Sequence, residues 1–388
     1  MPGRREIALV VASLLFAGIL TEIGLRVVGI AYPVFHRLET LRGWSPQPGI
    51  SGVWMTEGEA LIENNDEGFR DQNHTKAKPE GTLRIAVLGD SMSEALAVPL
   101  EKTFWSILGN RLSACRGRKV EVLNFSVSGY GTAQQRLTLQ HNALKYTPDI
   151  VLLAFFTGND VWNNEQALDG HEDRVYYVIE NGVLTLDDSN TQTSRFQTKM
   201  FWRGILNGTI NASRLFQLVR EFSTRAKNML RGEKRKSDTV FNAASRDYEI
   251  FKAPATPAWN RAWATTEALL AAMRDDVKTS GADFWVANLT APVQVYPDPL
   301  VRKEFAAALG VSDLDYPDRR IDDVAKHLGI SSVSLLDPLR TYAETNKAYL
   351  HGFGNTRLGT GHWNALGHRL AGEHLAHALC AAGKAQTN

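Results

Sequence analysis

Five short apolar runs, each followed by a helix-like stretch, constrain this chain more than any other feature. They fall at 83–88, 120–124, 149–156, 283–288 and 332–336. A strand covered on both faces has no polar side to show, so it reads as an unbroken apolar run. Helical patterns are expected over 101–115, 133–144, 258–279, 318–328 and 365–381. The last carries Leu366, Leu370, Leu375 and Leu379 near helical spacing. Strand and helix in alternation predict an α/β fold, an open parallel sheet with right-handed crossovers.

One interruption breaks the rhythm, an insertion at 163–255. Its first part, with Tyr176, Tyr177, Val178 and Val183, reads as a small hairpin. Further on, Leu215, Leu218, Val219 and Phe222 recur at helical spacing, before the basic run Arg231, Lys234, Arg235 and Lys236. The favoured expectation is an amphipathic packing helix followed by a solvated charge run. A lid, a substrate wall or a membrane-surface helix is the alternative. Two stretches, Asn207-Gly208-Thr209 and Asn211-Ala212-Ser213, match a glycosylation pattern that is common by chance.

The N-terminus differs from the rest. Arg4 and Arg5 precede an apolar run from Ile7 to Thr21, and Glu22 and Arg26 interrupt its continuation to Ile30. A spanning helix needs about 20 mostly apolar residues, which this stretch supplies if the two charges sit at the interface. The positive flank predicts a cytoplasmic N-terminus and an exported remainder, periplasmic or extracellular. No Ala-x-Ala site follows, so an uncleaved single-pass anchor is favoured over a cleaved signal peptide. The chain thus divides into an anchor or signal segment at 1–32, a polar, turn-rich spacer at 33–80 and a catalytic-type domain at 81–388.

The 388 residues carry a net charge of +1, so no nucleic-acid partner is expected. No phosphate-cradling loop and no Cys/His metal spacing occurs. His351, His362 and His368 are close in sequence without acidic or cysteine ligands among them, a weak metal signal. No cofactor and no metal is expected. The two cysteines, Cys115 and Cys380, each fall in an expected helix. They read either as a bridge between neighbouring helices of an exported domain or as two buried thiols.

In open α/β sheets the site lies at the carboxyl ends of the strands. Three segments there are rich in polar groups: Gly89-Asp90-Ser91, Asn124-Phe125-Ser126-Val127-Ser128-Gly129, and Thr157-Gly158-Asn159-Asp160. Gly361-His362-Trp363-Asn364 precedes the final helix. Acyl transfer needs a nucleophile, a base and donors aimed at the developing oxyanion. Ser91 is the candidate nucleophile and His362 the candidate base. The backbone N–H of Ser91, the backbone N–H of Gly129 and the Asn159 side chain are candidate oxyanion donors. Asp90 and Asp160 are possible supporting residues, read more simply as a cap and a loop-ordering group. Trp162 and Trp363 could stack on sugar rings, although edge-packed aromatics are commoner.

With these blocks in place the chain resembles the GDSL/SGNH hydrolase superfamily. Gly89-Asp90-Ser91, the glycine block ending at Gly129, Gly158-Asn159-Asp160 and His362-Trp363-Asn364 match its four blocks in order. The resemblance covers about 83–161 and 282–382. It implies a three-layer α/β/α, flavodoxin-like parallel sheet with the N-terminal helix and the long insertion outside it. It also implies carboxylic-ester or O-acetyl substrates, on a small molecule or an envelope glycan.

One departure stands out. The family places an aspartate three residues before its histidine, and here that position is Gly359. The acid of a triad fixes the histidine tautomer and stabilises the imidazolium. A Ser–His dyad held by a backbone carbonyl is the first expectation. A carboxylate from elsewhere, with Asp337 and Glu344 nearby in sequence, or a loss of activity are the others. Three functions follow: an ester hydrolase working through an acyl-enzyme on Ser91, an O-acyltransferase modifying a polysaccharide, and a silent carbohydrate-binding or scaffold protein. The oligomeric state is left open.

Overall fold

The computed structural model of the protein describes residues 3–234 and 240–385. Helix α1 (Arg4–Val28) buries none of its residues against the rest of the chain. It is long and apolar enough to cross a membrane. It ends at Gly29, whose φ of 77° is the left-handed conformation that glycine adopts without strain.

Residues 33–80, expected as a spacer, are instead folded onto the domain. Strands β1 (His36–Glu39) and β2 (Gly43–Pro46) pair as one antiparallel hairpin, and β3 (Ser51–Trp54) and β4 (Ala60–Glu63) as another. Each strand is four residues long, so apolar periodicity has little length in which to show itself. Polar groups anchor the segment. The buried Arg70 guanidinium donates to the carbonyls of Glu94 (3.0 Å), Ala95 and Val98. Asp71 accepts from the Asn124 N–H at 2.9 Å.

Then the expected alternation begins. β5 (Leu83–Leu88) leads through α2 (Ser91–Glu94) and α3 (Phe104–Arg116) to β6 (Val120–Asn124). α4 (Thr132–His141) leads to β7 (Ile150–Phe156). The insertion holds α5 (Gln166–Asp169), the hairpin β8 (Tyr176–Glu180) and β9 (Val183–Asp187), and α6 (Ser189–Gln192). Two long helices follow, α7 (Ser194–Ala212) and α8 (Arg214–Lys234). Of the basic run, Arg235 and Lys236 lie outside the described residues. α9 (Pro257–Ser280) resumes the alternation with β10 (Asp283–Leu289), α10 (Pro299–Leu309), α11 (Tyr316–Leu328) and β11 (Ser331–Ser334). α12 (Leu336–Asn346) and α13 (Ala365–Ala385) close the domain.

The five-stranded sheet has the order β11-β10-β7-β5-β6, and every neighbouring pair is parallel. Successive side chains of each strand enter opposite cores. Ile85, Val87, Leu152 and Ala154 pack with residues of α3, α12 and α13 on one face. Ala86, Leu88, Val151 and Leu153 pack with residues of α9 and α11 on the other. This is the three-layer α/β/α arrangement, and it is why the strands read as continuous apolar runs. Burying one large aliphatic side chain fully contributes about 1.5–3 kcal/mol, so both faces add to stability. Cys115 and Cys380 are joined as a disulfide that ties α3 to α13, their Cα atoms 6.3 Å apart. Of the two readings of the cysteines, the bridge is the one present.

Candidate active site

The site begins where β5 runs out. Gly89 has no room for a side chain, because a Cβ there would press on Ser93 and approach the Ala154 carbonyl. The chain therefore turns sharply from strand into α2 with Ser91 at its first position. Asp90 caps that helix by accepting from the Met92 N–H at 2.9 Å. The helix is a single turn, ended by Ala95 at φ 56°. A helix dipole would help an anion at Ser91, but one turn supplies little of it; the Ser91 N–H itself is the useful donor.

His362 reaches Ser91 from across the chain. Its Nε2 lies 2.8 Å from Ser91 Oγ. Its Nδ1 lies 2.5 Å from Glu57 Oε2, and its backbone N–H donates to Glu57 Oε1 at 2.9 Å. An ionised carboxylate can only accept, so the proton sits on Nδ1 and Nε2 is left to accept from the serine hydroxyl. Glu57 is the acid that position 359 lacks. It comes from the turn between β3 and β4, inside the segment expected as a spacer. The first expectation, a dyad held by a carbonyl, is corrected: a carboxylate is in place. Neither nearby candidate supplies it, for Glu344 pairs with Arg302 and Asp337 stands exposed in the first turn of α12.

Glycines make the room that Glu57 fills. Gly359 has φ 79°, and a Cβ there would run into the rings of Tyr296 and Tyr349. No aspartate fits. Gly361 has φ 74°, and a Cβ there would occupy the place of Glu57 Oε1. Asn355 clamps the incoming turn, accepting from the Gly58 N–H (3.0 Å) and donating to the carbonyls of Met55 (3.2 Å) and Gly58 (3.0 Å). Replacing Gly361 with alanine is expected to cost about 1–2 kcal/mol from the left-handed backbone alone. It should also push Glu57 off His362. Urea unfolding and ester turnover measured on the same variant should fall together.

The electrostatics follow from this contact. Burial alone would lower the His362 pKa, but the Glu57 carboxylate outweighs it and the net direction is up from 6.5. Burial would raise the Glu57 carboxyl, and its bonds to His362 bring it below the usual value instead. Burial pushes Asp160 well above the carboxylate range, and the charge of Asp90 adds to the shift. Asp160 accepts from the Phe156 N–H (2.8 Å) and from Gln135 (3.0 Å), so it orders its own loop.

The oxyanion candidates lie on neighbouring loops. Asn159 Nδ2 donates to Asp90 Oδ2 at 2.9 Å, which fixes the amide and leaves its second N–H. Gly129 sits at φ 79° with the Trp44 ring against it. Among the described residues, neither the Ser91 N–H nor the Gly129 N–H donates to a backbone carbonyl outside regular elements. The Gly129 turn is braced by groups that sequence reading missed. Glu94 accepts from the Ser128 N–H (2.6 Å) and hydroxyl, and its other oxygen meets His36 Nε2 at 2.9 Å. Trp44 Nε1 donates to the Ser128 carbonyl at 3.0 Å, and Arg174 donates to the Gly129 carbonyl.

The remaining candidates are structural. Trp363 is fully buried and donates to Thr290 Oγ1, so it offers no face to a sugar. Trp162 is half-buried, donates to the Gly158 carbonyl at 2.8 Å, and has the Arg246 guanidinium over its ring. His351 and His368 are buried and each packs against Trp363, and among the described residues they form no metal-holding group with His362.

No family model matches the chain. An arylesterase from Vibrio mimicus is 35% identical over 77 residues, which are 20% of this chain and 38% of that protein. The chain thus spans well under half of the curated relative it matches. Among solved structures, TesA is 15% identical with a TM-score of 0.37, over 76% of this chain and 97% of its own. An acetyl xylan esterase, AlAXEase, is 12% identical with a TM-score of 0.40, over 76% and 100%. A GDSL-like lipase from Bacteroides thetaiotaomicron is 13% identical with a TM-score of 0.33, over 77% and 88%.

Proposed function

We propose that the chain is a serine esterase of the SGNH type, acting on O-acetyl or other small carboxylic esters. The observation that carries this reading is the continuous line Glu57–His362–Ser91, with separations of 2.5 and 2.8 Å. Serine is a weak nucleophile unless a base takes its proton, and His362 is placed and oriented for that. Ser91 Oγ attacks the ester carbonyl as its proton passes to His362 Nε2. The Ser91 and Gly129 N–H groups and the free Asn159 N–H receive the oxyanion. Collapse breaks the bond to the leaving oxygen, which takes the proton from His362 and leaves an acyl-enzyme. Water then attacks the acyl carbon as His362 takes its proton, and collapse breaks the bond to Ser91 Oγ, which receives that proton from His362 as the carboxylic acid leaves.

The silent-scaffold alternative drew on the missing acid at Gly359, and Glu57 removes that motive. Transfer of the acyl group to a sugar hydroxyl would use the same acyl-enzyme. The N-terminal basic pair and the length of α1 support a single-pass anchor with the domain exported. The disulfide agrees with an oxidising compartment. The full chain treated with a fluorophosphonate and digested should carry one adduct, on the peptide containing Ser91. It should also hydrolyse an aryl acetate. An adduct elsewhere, or none, would overturn the assignment of the nucleophile.

A further inference from the structure

Two charges interrupt the apolar run of α1, and the structure shows what they are used for. Glu22 Oε2 accepts from Ser213 Oγ and from the Leu215 N–H, each at 2.9 Å, so a carboxylate of α1 caps the start of α8. Arg26 donates to the Ala212 carbonyl at the end of α7 at 2.7 Å and pairs with Glu22 at 2.7 Å. One turn earlier on α1, Leu215 lies against Gly18, 3.7 Å from where a Cβ would stand. Just beyond α1, Gln217 accepts from the Tyr32 N–H, Arg220 donates to the Tyr32 and Pro33 carbonyls, and Asn211 accepts from the Val34 N–H. The corner between α7 and α8 is therefore bonded to α1 over its last three turns and to the chain leaving it.

From that corner both helices present large apolar side chains outward. Phe201, Trp202 and Ile205 on α7 and Phe216, Val219 and Phe222 on α8 are each 49% to 63% exposed. Large aromatic and aliphatic side chains left open in this number on two adjoining helices call for a covering partner. α8 packs against α1, whose apolar residues are themselves uncovered, so the medium that covers α1 lies beside the start of the two helices. Amphipathic helices with aromatic and aliphatic residues on one face lie in the headgroup region of a bilayer.

We propose that the α7–α8 hairpin lies in the membrane–water interface beside the anchor, with the lipid bilayer as its occupant. The inference rests on the reading of α1 as a membrane helix. It also gives the charges of α1 a place: Glu22 and Arg26 meet the helix ends of the hairpin at the interface. This takes the membrane-surface alternative for the insertion over the plain packing helix. α8 packs on α1 through Leu215 and leaves Phe216, Val219 and Phe222 open. The hairpin would hold the catalytic domain at one tilt, because α7 is also tied to the site side of the domain through the Lys199–Asp173 ion pair next to Arg174.

Both native cysteines are in the disulfide, so single added cysteines can be labelled in the full chain. Leu15→Cys, Ile205→Cys, Val219→Cys and Lys278→Cys variants would each carry an environment-sensitive fluorophore. They would be reconstituted in phosphatidylcholine–phosphatidylglycerol vesicles, with and without lipid bearing a nitroxide high on its acyl chain. Loss of emission at 15, 205 and 219, with emission kept at 278, is expected. Loss at 15 alone would overturn the hairpin inference and leave the anchor standing. No loss at any position would remove the anchor and the inference with it. Blue-shifted but unquenched emission at 205 and 219 would mean that protein, not lipid, covers the hairpin, and would also overturn it.

Discussion

Alanine at position 91 is expected to lower ester turnover by about 10⁶-fold and to abolish fluorophosphonate labelling. The size of the effect follows from the arrangement. Ser91 Oγ makes its hydrogen bond to His362, and nothing in the fold hangs on it. The substitution should leave the thermal midpoint nearly unchanged while removing the atom that attacks. His362→Ala should cost about as much, and the double variant little more, because residues that act as a unit are not additive. Residual activity would come from the Ser91 and Gly129 N–H groups and Asn159, which do not need the hydroxyl. A Ser91→Ala variant that keeps substantial turnover would place the chemistry elsewhere, and a variant that unfolds would be recognised by its melting curve.

The parts of this molecule that were legible in the sequence are those where burial writes a local pattern. β5, β6, β7 and β10 are covered on both faces, so each shows as an apolar run. Ser91, Gly129 and Asn159 sit in turns at strand ends, where tight geometry selects small and polar residues within a few positions. The acid was not legible, because nothing local marks it. Glu57 and His362 are 305 residues apart in sequence and meet only after two hairpins dock on the strand ends. The docking relies on Arg70, Asp71 and Asn355, polar groups that sequence patterns assign to loops. Only the structure explains the glycine directly before the histidine: Gly361 is left-handed, and Glu57 occupies the place of its missing Cβ. α10 and α12 were also unseen, being 11-residue helices without an unbroken apolar face.

Glu57→Gln should lower turnover by about 10⁴-fold, the scale seen when a triad acid becomes an amide and the histidine loses its tautomer. The amide can donate to Nδ1, which would move the imidazole proton to Nε2 and leave Ser91 without an acceptor. The pH profile separates this from a loss of packing. His362 must be neutral to take the Ser91 proton, so kcat/KM rises with pH as His362 deprotonates. Glu57 holds the His362 pKa above 6.5 against the effect of burial, so in the native chain the acid limb lies above that value. With the carboxylate gone, burial acts with less opposition, and the acid limb of the residual activity should move to lower pH. Glu59→Gln, at an exposed position two residues away, should leave both rate and limb unchanged. A modest loss with an unmoved limb in Glu57→Gln would return the site to a dyad, with Glu57 merely bracing the turn. A large loss with the limb displaced downward is what an acid acting through His362 requires.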